Sequence, residues 1–274
     1  MRGIISRFAP APTGFLHLGH VVNAVTVWRE TRVRSGRVLL RIEDHDRQRS
    51  RRQFEVAILE DLAWLGFEAD GPPVRQSERG AIYEEALERL RRQGRVYVCD
   101  CTRADVAQAL RPADAGLKPR ATSELCYPGT CRDRGLADAP GRGLRVRLEP
   151  SMERFVDLRL GAQEQRPSEQ CGDLLVRDRD GNWTYQFAAT VDDYVQGVNL
   201  VIRGVDLLAS TGRQIQLARL LGRAEPPVFL HHPLIMKSAG HKLSKSDGDT
   251  GIRELRARGW MPSRVIEHAL SLVE

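Results

Sequence analysis

Two histidines, His17 and His20, flank Leu18 and Gly19 in the segment RFAPAPTGFLHLGH near the start of the chain. Their ring N–H groups can donate to phosphate oxygens, and glycine lets the backbone approach a ligand closely. The segment lies between a predicted first strand and a predicted first helix, whose N-terminal amides and dipole also favour phosphate. It predicts a phosphate-binding loop. The alternative is a pair of surface histidines capping a helix.

Lysines mark a second candidate segment. Only four of the 42 basic residues are lysines, and three of these lie within residues 237–245. Lys242 and Lys245 belong to the segment KLSKSDG, where mobile ammonium groups and hydroxyls are suited to hold a triphosphate and stabilise departing pyrophosphate. A solvated basic turn is the alternative. That alternative is weakened because a histidine–glycine–histidine loop stands at the other end of the chain.

The cysteines indicate a metal site. The chain has five cysteines, and four of them fall within residues 99–131. An odd number of cysteines in a chain without a secretory signal argues against a disulfide framework. Zinc is commonly held by thiolates, so Cys99, Cys101, Cys126 and Cys131 alone would suggest a four-cysteine site. Cys171 is most simply a buried thiol.

Composition excludes several classes of protein. The chain has 274 residues, 41% hydrophobic and 28% charged, with a net charge of +6, which is near ordinary globular usage. No apolar run approaches the roughly 20 residues of a membrane span, and no signal peptide is evident. We therefore expect a soluble, cytoplasmic protein. The positive charge leaves open a non-catalytic, zinc-containing RNA-binding module.

Hydrophobic patterning predicts an α/β fold, specifically a Rossmann-like, doubly wound parallel sheet. Buried-type strands alternate with amphipathic helices over residues 1–98, and the alternation resumes over residues 173–274. Residues 99–172 between them hold the cysteines and stretches rich in proline, glycine and aspartate. We predict one discontinuous catalytic domain interrupted by a zinc-containing subdomain.

These motifs together resemble those of class I aminoacyl-tRNA synthetases, in particular the glutamyl-tRNA synthetase branch. The resemblance runs from residue 5 to about residue 250. It is carried, in order, by RFAPAPTGFLHLGH, LLRIEDHD, RQSER, YQFAATVDD, VIRGVDLLAST, HHPLI and KLSKSDG.

The resemblance implies roles for individual residues. It implies catalysis by His17, His20, Lys242 and Lys245, with ATP contacted by His17, Gly19, His20 and Lys245. The implied L-glutamate contacts are Arg7, Phe8, Ala9, Pro10, Ala11, Glu43, Tyr185 and Arg203. The family spacing C-x-C…Y-x-x-x-C implies zinc ligation by Cys99, Cys101, Tyr127 and Cys131. Ligand chemistry alone instead favours Cys126 over Tyr127, because thiolate is softer and more acidic.

A truncated branch of this family, the glutamyl-Q tRNA(Asp) synthetases, resembles the catalytic half alone. Only 28 residues follow Ser246 here, so we expect no anticodon-binding domain. The resemblance implies ATP- and Mg²⁺-dependent activation of glutamate and its transfer to queuosine in tRNA(Asp), with one structural Zn²⁺ and a monomeric state. The alternative enzyme is a truncated glutamyl-tRNA synthetase that charges the 3′ end of tRNA(Glu).

Overall fold

The computed structural model describes residues 3–110, 125–238, 241–242 and 251–273. The strands are β1 (Ile5–Phe8), β2 (Arg37–Ile42), β3 (Val74–Arg75), β4 (Val96–Cys99), β5 (Gly143–Val146), β6 (Glu153–Asp157), β7 (Gly161–Gln165), β8 (Leu174–Arg177), β9 (Leu200–Gly204), β10 (Val228–His232), β11 (Met236–Ser238) and β12 (His241–Lys242). The α-helices are α1 (Leu18–Arg32), α2 (Arg52–Leu65), α3 (Gly80–Arg92), α4 (Arg103–Ala109), α5 (Pro167–Gln170), α6 (Tyr185–Val195), α7 (Thr211–Leu220), α8 (Ile252–Ala257) and α9 (Pro262–Ser271). None of these helices is long and apolar enough to cross a membrane.

Parallel strands form the centre of the molecule. β1, β2 and β3 pair in parallel, with Ile5 opposite Arg37, and β9 and β10 pair in parallel in a second sheet. The two sheets adjoin at β1 and β9, where the Asn199 amide donates to the Ile5 carbonyl at 3.0 Å. The carboxyl ends of β1, β2, β9 and β10 therefore face one edge, where ligands bind in doubly wound folds.

Helix α1 packs on this centre through apolar side chains that lie on several sides of it. Its buried residues include Val21, Val22 and Val27, and the Trp28 ring lies 5.6 Å from Phe8 and 5.0 Å from Phe67. The Trp28 indole N–H donates to the Glu68 carbonyl at 2.8 Å, which satisfies its one polar group. This packing fixes the N-terminus of α1 beside the carboxyl end of β1.

An antiparallel hairpin, β6–β7, extends the second sheet. β6 pairs in parallel with β10 and antiparallel with β7. The sequence did not predict this hairpin because each face of β6 mixes apolar and charged residues: Glu153 and Asp157 are buried with Phe155, whereas Val156 is 57% exposed. The buried carboxylates are satisfied by partners instead, Arg219 for Glu153 and His231 for Asp157.

The region of the predicted insertion is tied to the rest by a separate sheet. β4, β5 and β8 form an antiparallel sheet in which β5 is central. Its hydrogen bonds join residues on both sides of the predicted boundaries at 98/99 and 172/173. The division into 1–98 with 173–274, and 99–172, stays a prediction.

Candidate active site

His17 and His20 are fixed at the N-terminus of α1 by backbone hydrogen bonds. The Gly19 amide donates to His17 Nδ1 and the His17 amide donates to His20 Nδ1, each at 3.1 Å. The rings lie 3.9 Å apart. Because both Nδ1 atoms accept, the ring proton of each neutral imidazole is on Nε2. The pair is thus set to present two N–H donors, together with the helix dipole, to an anion.

The segment that follows the KLSKS loop returns to these histidines. Gly251 forms a β-bridge with His17, and the Ile252 amide donates to the Leu16 carbonyl at 3.1 Å. Lys242 ends β12, whose backbone pairs with β11. Lys245 lies outside the described residues. Gly251, which follows the lysine segment in the chain, thereby lies beside the histidine motif.

Arg7, Arg41, Glu43 and Asp193 form a buried ionic network at the ends of β1 and β2. Asp193 Oδ1 lies 3.0 Å from Arg7 Nε and 2.8 Å from Arg41 Nη1. Burial opposes ionisation of Asp193, but Arg7 and Arg41 outweigh it and hold its pKa below the usual range. Glu43 Oε1 lies 3.5 Å from Arg41 Nη2, and burial raises the pKa of Glu43 despite that neighbour. A substrate ammonium group would favour the ionised form of this carboxylate.

The loop after β1 is held against the end of β2. The Pro10 carbonyl accepts from the Glu43 amide at 3.0 Å, and the Thr13 amide donates to Ala11 at 2.8 Å. Phe8 is buried against Trp28, so its side chain belongs to the core. Ala9, Pro10 and Ala11 therefore present mainly backbone to this edge.

Arg203 lies near the end of β9, close enough to Arg7 and Asp193 for their charges to act on it. Its guanidinium donates to His231 Nε2 at 3.1 Å, to Gln214 Oε1 at 2.6 Å and to Thr211 Oγ1 at 2.8 Å. It is only 3% exposed, and burial lowers its pKa. Tyr185, the first residue of α6, acts electrostatically on Arg203, and burial raises the pKa of its phenol. Arg203 is thus a buried cation that is oriented by three protein acceptors.

Three cysteines converge with a tyrosine near the end of β4. The Sγ atoms of Cys99, Cys101 and Cys131 lie within 4.8 Å of one another, with Cys101 and Cys131 at 3.4 Å. The Tyr127 hydroxyl lies 3.5 Å from Cys99 Sγ and 4.0 Å from Cys101 Sγ. Burial, with Cys131 nearby, raises the pKa of Cys101 to about 12. A metal ion bound here would displace that proton, because cysteine binds metals as the thiolate.

Cys126 points away from that cluster. Its Sγ lies 3.5 Å from the Glu169 carbonyl and 4.0 Å from the Ser168 carbonyl. The Tyr127 backbone is held by close approach of Gly172, where any Cβ would meet the Tyr127 carbonyl oxygen at 2.0 Å. The Arg145 guanidinium lies 3.6 Å above the Tyr127 ring. The surroundings therefore direct the tyrosine, and not the adjacent cysteine, toward the three sulfurs.

Comparison with known proteins identifies the family. Residues 3–272 match tRNA synthetases class I (E and Q), catalytic domain. The chain belongs to this class I synthetase family. The α/β fold with a parallel sheet and the ligase class predicted from the sequence are thereby confirmed.

Individual relatives of the synthetase are similar over most of its length. It is 40% identical to the glutamyl-Q tRNA(Asp) synthetase of Rhodobacter capsulatus, covering 96% of this chain and 98% of that protein. It is 42% identical to the protein of the same name from Geobacter sulfurreducens, covering 94% of this chain and 81% of that protein. The crystal structure of a glutamate tRNA ligase from Elizabethkingia meningosepticum superposes with a TM-score of 0.75 at 30% identity. That match covers 90% of this chain and 53% of the ligase, so the synthetase spans about half of that longer enzyme.

Several residues of the synthetase's pocket were not predicted as site residues. Arg41, Gln214, Thr211 and His231 all contact predicted glutamate-site residues. The only sequence signal for His231 was its place in HHPLI, a motif that gave no role. Arg41 lies within an apolar strand. Hydrophobic patterning does not show that a charged residue there is buried, nor that its partners are Glu43 and Asp193.

Proposed function

We propose that this synthetase activates L-glutamate with ATP and transfers it to the queuosine base in the anticodon of tRNA(Asp). The observation that carries this proposal is the 40% identity, over 96% of this chain, to a glutamyl-Q tRNA(Asp) synthetase. The pocket supports it, because Arg203 and Arg7 offer cations for carboxylates while Glu43 and Asp193 offer anions for an ammonium group.

In the first step the glutamate α-carboxylate attacks the α-phosphorus of ATP. A carboxylate–phosphorus bond forms, the bond to the bridging oxygen breaks, and pyrophosphate leaves. The Nε2–H groups of His17 and His20 donate to the α-phosphate oxygens as charge develops there. Lys242 and Lys245 bind the β- and γ-phosphates. Mg²⁺ accompanying ATP would neutralise phosphate charge.

In the second step a hydroxyl of the acceptor nucleoside attacks the activated carbonyl carbon. The bond from that carbon to the adenylate oxygen breaks, AMP leaves with the bonding electrons, and the hydroxyl proton is released to solvent. No covalent enzyme intermediate is required. Positioning of the two substrates and electrostatic stabilisation supply the rate.

We further propose that Cys99, Cys101, Tyr127 and Cys131 hold one structural Zn²⁺. Sulfur ligands at about 2.3 Å from a tetrahedral zinc ion lie about 3.8 Å from one another. The Sγ atoms of Cys101 and Cys131 are 3.4 Å apart, which is close to that spacing. Zinc would cross-link β4 to the segment around Cys131. The cysteine cluster supports the proposal of an inserted zinc subdomain within residues 99–172. A monomeric state and a cytoplasmic location stay proposals that come from the family resemblance.

A second candidate function is charging of the 3′ end of tRNA(Glu). The structural similarity to a glutamate tRNA ligase favours it. The match to a catalytic-domain family argues against the non-catalytic RNA-binding module.

Pyrophosphate exchange tests the activation step. Purified protein is incubated with ATP, labelled pyrophosphate and one amino acid at a time, without tRNA. Label appears in ATP with glutamate, and much less with glutamine or aspartate. Equal exchange with all three amino acids, or none with glutamate, would overturn the proposed activity.

A further inference from the structure

The hydrogen-bond partners of Arg203 carry no charge. In the described part of the chain, no carboxylate oxygen lies within ion-pairing distance of its guanidinium. The Phe229 ring, 5.6 Å from the guanidinium carbon, adds a further uncharged neighbour. Arg7, in the same pocket, differs because Asp193 lies 3.0 Å from it. Of these two buried arginines, Arg7 is therefore paired with a carboxylate and Arg203 is bonded only to neutral groups.

A buried carboxylate fixes the tautomer of the histidine partner, while burial and Arg203 lower the pKa of His231 and keep its ring neutral. His231 Nδ1 lies 2.6 Å from Asp157 Oδ2, and both side chains are fully buried. Asp157 is itself fixed, since its Oδ1 accepts from the amides of Arg159 and Leu160 at 2.9 Å each. With its proton held on Nδ1 by Asp157, His231 can offer only the lone pair of Nε2 to Arg203.

Hydrogen bonds between side-chain amides fix Gln214, the second partner of Arg203, so that it also acts as an acceptor. Gln214 Nε2 donates to Gln186 Oε1, and Gln186 Nε2 donates to Ser210 Oγ, each at 2.9 Å. The Gln214 amide is therefore turned so that its oxygen faces Arg203. Aspartate or glutamate would pair more strongly with a buried arginine than these neutral groups do. The arrangement orients the cation without cancelling its charge.

We infer that His231 and Asp157 are positioning residues which, with Gln214 and Thr211, hold Arg203 through neutral acceptors so that its charge selects a carboxylate-bearing amino acid. The inference rests on the proposed activation of glutamate. A buried cation with no carboxylate in direct contact gains most from a substrate that brings one. Glutamate supplies that carboxylate and glutamine does not. The neutral acceptors therefore determine specificity because they leave the charge of Arg203 without a carboxylate in direct contact.

Two variants test this by placing a carboxylate on Arg203. Gln214→Glu changes one terminal group at the position 2.6 Å from Nη1. The double variant Asp157→Asn with His231→Glu moves the buried carboxylate from behind the histidine to the guanidinium at unchanged total charge. Gln216→Glu is the matched control, because it lies on the same helix but contacts Glu149 and Ser151. Thermal unfolding and circular dichroism check that each variant is folded.

The readout is the KM and kcat of pyrophosphate exchange with glutamate and with glutamine. For Gln214→Glu we expect the glutamate KM to rise about 30-fold or more with kcat nearly unchanged, and the glutamate-over-glutamine ratio of kcat/KM to fall about tenfold or more. The double variant should shift the ratio in the same direction, and Gln216→Glu should leave it unchanged. Folded variants with the wild-type ratio would overturn the inference while leaving the proposed function intact. Absence of glutamate-dependent exchange in the wild type would overturn both.

Discussion

His20 Nδ1 accepts a hydrogen bond from the backbone N–H of His17 at 3.1 Å, while His17 Nδ1 accepts from Gly19. Each histidine therefore has two separable roles: its Nδ1 caps the helix, and its Nε2–H is assigned to the chemistry we propose. Asparagine can reproduce the first duty, since its oxygen is a good N-cap acceptor, but it has no group that reaches the position of Nε2.

His17→Asn should therefore separate folding from activity. We expect a stability loss below about 0.5 kcal/mol, against about 1 kcal/mol for His17→Ala, because only alanine removes the cap. Exchange should fall about 100-fold or more in both variants, as for loss of an oxyanion donor. Denaturant unfolding and exchange rates measure the two effects. An active His17→Asn protein would show that Nε2 has no role in the chemistry.

Lys245→Ala should abolish ATP–pyrophosphate exchange, because its ammonium group is assigned to the phosphates of ATP. Lys118→Ala serves as the control, since no role is predicted for that lysine. We expect a fall of about 100-fold or more for Lys245→Ala and wild-type exchange for Lys118→Ala. Normal exchange by the Lys245 variant would remove the KLSKS loop from the mechanism.

Metal content should distinguish the adjacent residues Cys126 and Tyr127. Since Tyr127, and not Cys126, faces the three sulfurs, Cys126→Ser should retain one zinc per chain. Cys131→Ser should lose it and unfold at lower temperature, because bound metal contributes to folding. Elemental analysis after dialysis measures both. Loss of zinc from Cys126→Ser with retention in Tyr127→Phe would reverse the assignment.

Asp61 in α2 should make stability depend on pH. It is fully buried, neither carboxylate oxygen has a hydrogen bond in the described part of the chain, and Arg253 Nε is 3.9 Å away. Burial raises its pKa to about 6. Between about pH 4 and pH 6 the unfolded chain then binds fewer protons than the folded one, so this group lowers stability as pH rises.

Asp61→Asn removes that titration. The variant should gain stability relative to the wild type as pH rises from about 4 to 6, reaching about 1 kcal/mol or more above pH 6. Urea unfolding at several pH values measures the difference. A difference that stays constant over this range would mean that Asp61 ionises normally in the folded protein.

The elements at the active edge were predictable because their sequences obey simple patterns. Arg37–Ile42 is a nearly continuous apolar run, and α1 begins beside the histidine motif that its apolar residues help to bury. α1 begins at Leu18, directly after His17, which is its cap. Such local signals need no knowledge of distant residues.

The residues that hold Arg203 were not predictable, because they are distant from one another in the sequence. Asp157, Arg203 and His231 come from three separate strands, and 74 residues separate the aspartate from the histidine it orients. β6, which carries Asp157, buries Glu153 and Asp157 with Phe155 and exposes Val156 with Arg154, so both faces mix apolar and charged residues and hydrophobic alternation does not identify the buried face. Buried polar networks are specified by partners across the fold, and a single sequence does not show those partners.

Transfer of labelled glutamate to tRNA tests the central claim most directly. The enzyme, ATP and labelled glutamate are incubated separately with tRNA(Asp) containing queuosine, tRNA(Asp) lacking it, and tRNA(Glu). We predict stable labelling of the queuosine-containing tRNA(Asp) alone. Labelling of tRNA(Glu), or equal labelling of both forms of tRNA(Asp), would contradict the account.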